Sequence, residues 1–132
     1  MIRPAILRIV GCQKGAAAVE FAIIGTVFIS LCIGIVDFGR TLYVKNQLSF
    51  LADQATRKVL MDPDIADATV ESELTADFTA GNQSDLTVTF NRITNGGVKY
   101  RVIQIEYPIT LFIPNLTSSS IDLSVSRRVP SN

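Results

Sequence analysis

Residues 21–36 read FAIIGTVFISLCIGIV, sixteen residues without a charged side chain. Extended back to Ala16, the run is interrupted only by Glu20. At about 1.5 Å of rise per residue, a helix of this length covers the roughly 30 Å hydrocarbon core of a bilayer. A buried helix of a soluble protein normally keeps a polar face, whereas the large apolar side chains here point all round the helix. The run therefore predicts a transmembrane helix, assigned to residues 16–37.

Basic side chains are concentrated before this helix. Arg3, Arg8 and Lys14 precede it without any acidic residue, whereas the rest of the chain holds nine basic and twelve acidic side chains. By the positive-inside tendency, the N-terminus is expected to be cytoplasmic and the remainder extracytoplasmic. A cleaved secretory signal is the alternative, but VDFGR at 36–40 offers no convincing small-x-small cleavage site.

The composition argues against catalysis. The chain has no His, and its two cysteines are Cys12 and Cys32, so the outer part lacks the usual zinc ligands and the usual base of nucleophilic catalysis. Twelve basic residues balance twelve acidic ones, which is not typical of a nucleic-acid-binding protein. We expect no enzyme activity, cofactor, metal, nucleic acid or small-molecule substrate.

The helical pattern continues beyond the membrane, through residues 38–62. An exposed ion pair is expected between Asp53 and Arg57, and Asp62-Pro63 should end the helix. Its apolar positions have helical spacing and need a covering layer: Leu48, Leu51, Ala55 and Val59.

Residues 63–132 are predicted to form a small α+β domain. A short helix is expected near 65–78, with Asp62 and Pro63 as its N-cap and first-turn residues. Apolar and polar residues then alternate over 86–90, 100–107 and 121–125, and Asn95-Gly96-Gly97 supplies a hairpin turn. The result is an antiparallel sheet of three or four strands, one face of which packs on the long helix.

Glu20 needs an explanation, because a charged side chain at the centre of a bilayer costs about 2.5–3.5 kcal/mol on insertion scales, and less toward an end of the helix. In one interpretation Glu20 lies at the cytoplasmic interface beside Lys14. In the other, the chain is cut after Gly15, and the new amino group of Ala16 neutralises the carboxylate one helical turn away.

The residues at this position resemble a known processing site. GAAAVEF at 15–21 is similar to the cleavage motif of type IV prepilins, with Gly before the cut and Glu at the fifth mature position. VEFAII at 19–24 and GIVDFGR at 34–40 resemble the TadE-like family, pilin-like components of the tight-adherence (Flp) pilus system. The resemblance is strong over residues 15–40.

The resemblance implies a role in pilus assembly. It makes residues 1–15 a leader removed by a prepilin peptidase, Gly15 and Ala16 the processing site, and Glu20 the assembly acid. It also implies a pilin-like fold, a place in the bacterial inner membrane, and other pilins and inner-membrane assembly proteins as partners. Phe21 stands where the major Flp pilins usually have Tyr, which indicates a minor component.

Small residues recur every four positions along the membrane helix. They form a ridge along which another helix could approach closely, although small residues are also frequent in membrane helices in general. The ridge residues are Ala18, Ala22, Thr26, Ser30 and Gly34.

The sequence thus predicts a minor pilin or pseudopilin that acts in pilus assembly and adhesion. An uncleaved single-pass protein that anchors a binding or scaffold domain in an envelope secretion complex is the alternative. A membrane-anchored enzyme is disfavoured.

Overall fold

The computed structural model describes residues 13–112 and 120–131 and begins with α1 (Gln13–Met61), a helix of 49 residues. No proline lies between Pro4 and Pro63, so nothing in the sequence interrupts the helical hydrogen bonds. The predicted end at Asp62-Pro63 is confirmed, and the Asp62 amide closes the last turn by donating to the Lys58 carbonyl at 2.9 Å. Residues 1–12 of the predicted leader lie outside the described residues.

The chain divides into two compact units, one ending at Ile35 and the other covering Val36–Asn132. In the first unit the described residues belong to α1 alone. The second unit contains the rest of α1, the helix α2 (Asp67–Asp77), a 3₁₀ turn at Gln83–Asp85 and three strands. The predicted α+β class is confirmed.

The sheet has the order β1-β2-β3, with both pairs antiparallel. Its strands are β1 (Thr87–Asn95), β2 (Val98–Ile109) and β3 (Ile121–Ser131). Gly96 and Gly97 have φ of 60° and 81°, so the two-residue turn between β1 and β2 is of the kind that matches the natural twist of a hairpin.

Pro108 is tolerated in the middle strand because of the register. β1 pairing stops where Thr87 faces Glu106, so Pro108 pairs only with Asp122 of β3. Beyond Glu106, β2 is therefore an edge on the β1 side, which is where proline is accepted in a sheet.

The core of the second unit lies between the helices and one face of the sheet. The predicted packing face of α1 is confirmed, since Leu48, Leu51, Ala55 and Val59 are fully buried. The remaining buried apolar residues are Val44 and Ala52 of α1, Val70 and Leu74 of α2, Phe78 after it, and Ile103, Ile105, Tyr107, Ile109, Val125 and Val129 of the sheet.

Tyr107 connects the sheet to the segment after α2. Its ring packs against Phe78 with centroids 5.0 Å apart, and its hydroxyl oxygen accepts a hydrogen bond from the Asn82 amide at 3.2 Å. Gly81 lies directly beside this hydroxyl, and a Cβ at that position would be 2.1 Å from the oxygen. The close approach requires glycine there.

Two local predictions are wrong. The N-cap of α2 is Ala66, because the Asp62 carboxylate accepts the Asp64 amide at 3.1 Å in a separate turn that ends α1. Asp53 pairs with Arg127 at 2.9 Å rather than with Arg57. Arg127 extends from the core-facing side of β3 at the sheet edge, where it meets the exposed flank of α1.

Candidate functional site

The first unit exposes apolar side chains all round. From Gly15 to Ile35 the residues are exposed except Gly25 and Gly34, which are half-buried. Among the residues that the structure describes, one helix is long and apolar enough to cross a membrane, with a mean hydropathy of 2.4 over its most apolar window. None of that window is buried. The length, composition and exposure fit a segment that faces lipid or other helices.

The predicted processing and assembly residues lie on the first turns of this segment. Ala16 and Glu20 are four residues apart in continuous helix, so they occupy neighbouring positions on one face. Glu20 is exposed, and its carboxylate is open to a charge from outside its own helix. A spacing of four residues is what an amino group at Ala16 would require in order to neutralise the Glu20 carboxylate.

The ridge residues lie close to their neighbours along α1 but do not share a single face of the helix. Each is one turn from the next, but a step of four residues advances about 40° around the helix, so Ala18 and Gly34 lie about 160° apart. The ridge therefore winds round the helix, and a partner that follows it must cross at an angle. Thr26 and Ser30 donate their hydroxyls to the Ala22 and Thr26 carbonyls at 2.8 Å, so these polar groups are satisfied within the helix.

A second cluster of residues lies at the start of the second unit, Val36–Asn132, and was not predicted from the sequence. Asp37 is 5% exposed, and its Oδ2 accepts a hydrogen bond from the Phe112 amide at 2.9 Å. The Arg40 guanidinium carbon lies 5.5 Å from the centroid of the Phe112 ring, a cation–π contact. We call Asp37, Arg40 and Phe112 the Asp37 clip, because together they fasten the chain after β2 to α1.

One oxygen of the clip is unsatisfied. Asp37 Oδ1 is buried without a hydrogen-bond partner in the part of the chain that the structure describes. A signal for the burial existed in the sequence, because Asp37, Val44 and Leu48 have helical spacing and share the core-facing side of α1. Its partner could not be found in this way, since Phe112 is 75 residues away.

A buried arginine fixes the turn between the two helices. Arg101 of β2 is 5% exposed and donates to the carbonyls of Pro63 at 3.1 Å and Ile65 at 3.3 Å. Asp67 lies 3.6 Å from Arg101 and 3.0 Å from Arg92, so its carboxylate bridges two guanidinium groups. Sequence reasoning missed this cluster, although Arg101 continues the core-facing alternation of Ile103, Ile105 and Tyr107.

The described residues offer little for metal chemistry. Within 13–112 and 120–131, no three His, Cys, Asp or Glu side chains are grouped so that they could hold a metal ion.

These features define a class: an α+β protein with one N-terminal apolar helix that is long enough to span a membrane. Within that class, residues 15–57 match the family model described as TadE-like protein. The match confirms the TadE-like resemblance, begins at Gly15 and includes Glu20, the ridge and two members of the Asp37 clip. The TadE-like family is associated with Tad/Flp pilus systems. No curated protein and no solved structure matches the chain.

Proposed function

We propose that this protein is a minor pilin or pseudopilin of a tight-adherence (Flp) pilus, processed by prepilin peptidase and active in pilus assembly and adhesion. The observation that carries the proposal is the order Gly15, Ala16, Glu20 at the start of an exposed apolar helix, within the segment that matches the TadE-like family. Other pilins and inner-membrane assembly proteins are its proposed partners.

Electrostatics explains why the order matters. A charge at the centre of a membrane helix costs about 2.5–3.5 kcal/mol on insertion scales, and an ionised Glu20 in the first turns costs less but still disfavours a helix that enters the membrane alone. Cleavage after Gly15 creates an ammonium at Ala16, one turn from the carboxylate. A neighbouring processed chain presents the same ammonium, so the acid also favours packing beside another processed helix.

The proposed topology follows from the basic residues before the helix, Arg3, Arg8 and Lys14. The N-terminus lies in the cytoplasm, the apolar helix crosses the bacterial inner membrane, and the α+β domain lies on the periplasmic side. The role is structural rather than catalytic, because a chain without His lacks the commonest general base. The alternative, an uncleaved anchor for an envelope scaffold, keeps the same topology and retains residues 1–15.

The experiment joins mass spectrometry to a pilus assay. In cells that contain the peptidase, the native protein should begin at Ala16, and deletion of its gene should abolish or reduce surface pili. Glu20→Gln, which removes the charge and keeps the shape, should be cleaved but should fail to restore pili. Asp53→Asn is the matched control, since it removes an exposed acid of the domain and should restore them.

Two results would contradict the proposal. An intact N-terminus in peptidase-competent cells would favour the uncleaved scaffold. Normal pili in the deletion strain would remove the assembly role altogether.

A further inference from the structure

The second unit contains a cavity at the end of its sheet where the β1–β2 hairpin turns. Its volume is about 550 Å³, within the range of small-ligand sites. The turn at 63–66 forms one wall, and the ends of β1, β2 and β3 form the other. The cavity lies outside the residues that match the TadE-like family.

Three cations line this cavity from one face of the sheet. Arg92 stands directly opposite Arg101 in the β1–β2 register, and Lys99 is two residues before Arg101, so all three side chains leave the same side. We call Arg92, Lys99, Arg101 and the cavity they line the basic pocket. Two carboxylates lie close by, those of Asp64 on the wall and Asp67 behind it.

The buried part of the basic pocket is incompletely satisfied. Arg101 is 5% exposed, and its Nε has no hydrogen-bond partner among the described residues. Asp67 Oδ2 lies 3.0 Å from Arg92, whereas its Oδ1, 3.6 Å from Arg101, is also buried without a hydrogen-bond partner among these residues. Lys99 is exposed and forms no ion pair within 13–112 and 120–131. The N-cap residue of α2, Ala66, also lies here and forms no side-chain capping hydrogen bond.

We propose that the basic pocket binds a carboxylate, with Lys99 and the free edge of the Arg92 guanidinium as its direct contacts. Three cations face two carboxylates, so one positive charge is left over. That charge suits a single carboxylate better than a phosphate dianion. The cavity is far larger than a carboxylate group, so the ligand is either a small molecule that carries this group or an acidic side chain within a segment of a partner protein.

The test uses the full chain in detergent micelles and follows the backbone amide signals of the hairpin by NMR. The probes are glutarate, a hexapeptide of glutamate, a hexapeptide of glutamine and inorganic phosphate. We expect the signals near Lys99 to shift with glutarate or hexaglutamate and not with hexaglutamine. If glutarate alone binds, the ligand is a small carboxylate; if only hexaglutamate binds, it is an acidic protein segment.

Substitutions test whether the carboxylate binds in the basic pocket. Lys99→Gln should weaken binding about ten-fold or more, because a charge-assisted hydrogen bond is lost. Lys45→Gln is the matched control on an exposed face of α1 and should bind as the wild type does. Asp67→Asn should bind more tightly, since the competing carboxylate is removed. Equal binding by the Lys99 and Lys45 variants, tighter binding of phosphate, or no binding of either carboxylate would overturn the proposal.

Discussion

Replacing Asp37 with alanine should release the chain after β2 from α1. The substitution removes the carboxylate that accepts the Phe112 amide hydrogen at 2.9 Å and leaves that N–H without its acceptor. A hydrogen bond to a charged group contributes about 1.5–3 kcal/mol. The cation–π contact of Arg40 with Phe112 adds about 0.5–1 kcal/mol, which by itself does not hold the segment in place.

The free energy of global unfolding is a poor measure of this effect. Asp37 Oδ1 is buried without a partner, at a cost of about 1–3 kcal/mol that alanine also removes. The two contributions are similar in size and opposite in sign, so they largely cancel in the total stability. The protection of the Phe112 amide against hydrogen exchange depends on the hydrogen bond alone and is therefore the better measurement.

In Asp37→Ala, the Phe112 amide should exchange about 10- to 100-fold faster than in the wild type. Asp37→Asn keeps an oxygen acceptor without the charge, and since a charge-assisted hydrogen bond is about twice as strong as a neutral one, its exchange rate should lie between those of the wild type and Asp37→Ala. Asp53→Ala, which breaks an exposed ion pair with Arg127, should leave Phe112 unchanged. A wild-type exchange rate at Phe112 in Asp37→Ala would refute the role assigned to the clip.

Two further substitutions, each paired with a control, test the packing of the two units. Gly81→Ala should lower the free energy of unfolding by about 1–3 kcal/mol, because the new methyl group overlaps the buried Tyr107 hydroxyl. Gly39→Ala is the control, since nothing lies within 4 Å of its Cβ position, and it should be neutral or stabilising. Denaturant titrations measure both. Gly34→Ile on the ridge should reduce crosslinking to neighbouring helices in membranes. Phe28→Ile, about 160° from Thr26 and Ser30 and at least about 80° from every other ridge residue, should not reduce it; equal crosslinking in both variants would rule out the ridge as a contact.

Most of the architecture could be predicted because it depends on local patterns. The apolar run, the spacing of Leu48, Leu51 and Ala55, and the alternation in β2 each report which side of an element is apolar. Asn95-Gly96-Gly97 indicated the hairpin because Gly96 and Gly97 readily adopt positive φ. These signals identified the elements and the face of each that is buried.

The polar clusters of the domain could not be predicted from such patterns. The contacts of Asp37 with Phe112 and of Arg101 with Pro63 join residues 75 and 38 positions apart. Periodicity shows that a polar residue lies on a buried face, but it does not identify the group that satisfies it. The sequence pattern places the start of α2 too early for the same reason, since Arg101 of the sheet holds the turn before it by donating to the Pro63 and Ile65 carbonyls.

The order of the elements along the chain also determines when the domain can fold. The apolar face of α1 ends at Val59, whereas the strand residues of the same core run from Val88 in β1 to Val129 in β3. The β1–β2 hairpin closes over two residues and forms quickly, but the core is complete only when Val125 and Val129 of β3 have been added. During synthesis, therefore, part of the apolar face of α1 stays exposed until β3 has been made. This exposed apolar surface makes the chain prone to aggregation and to chaperone binding until β3 is in place.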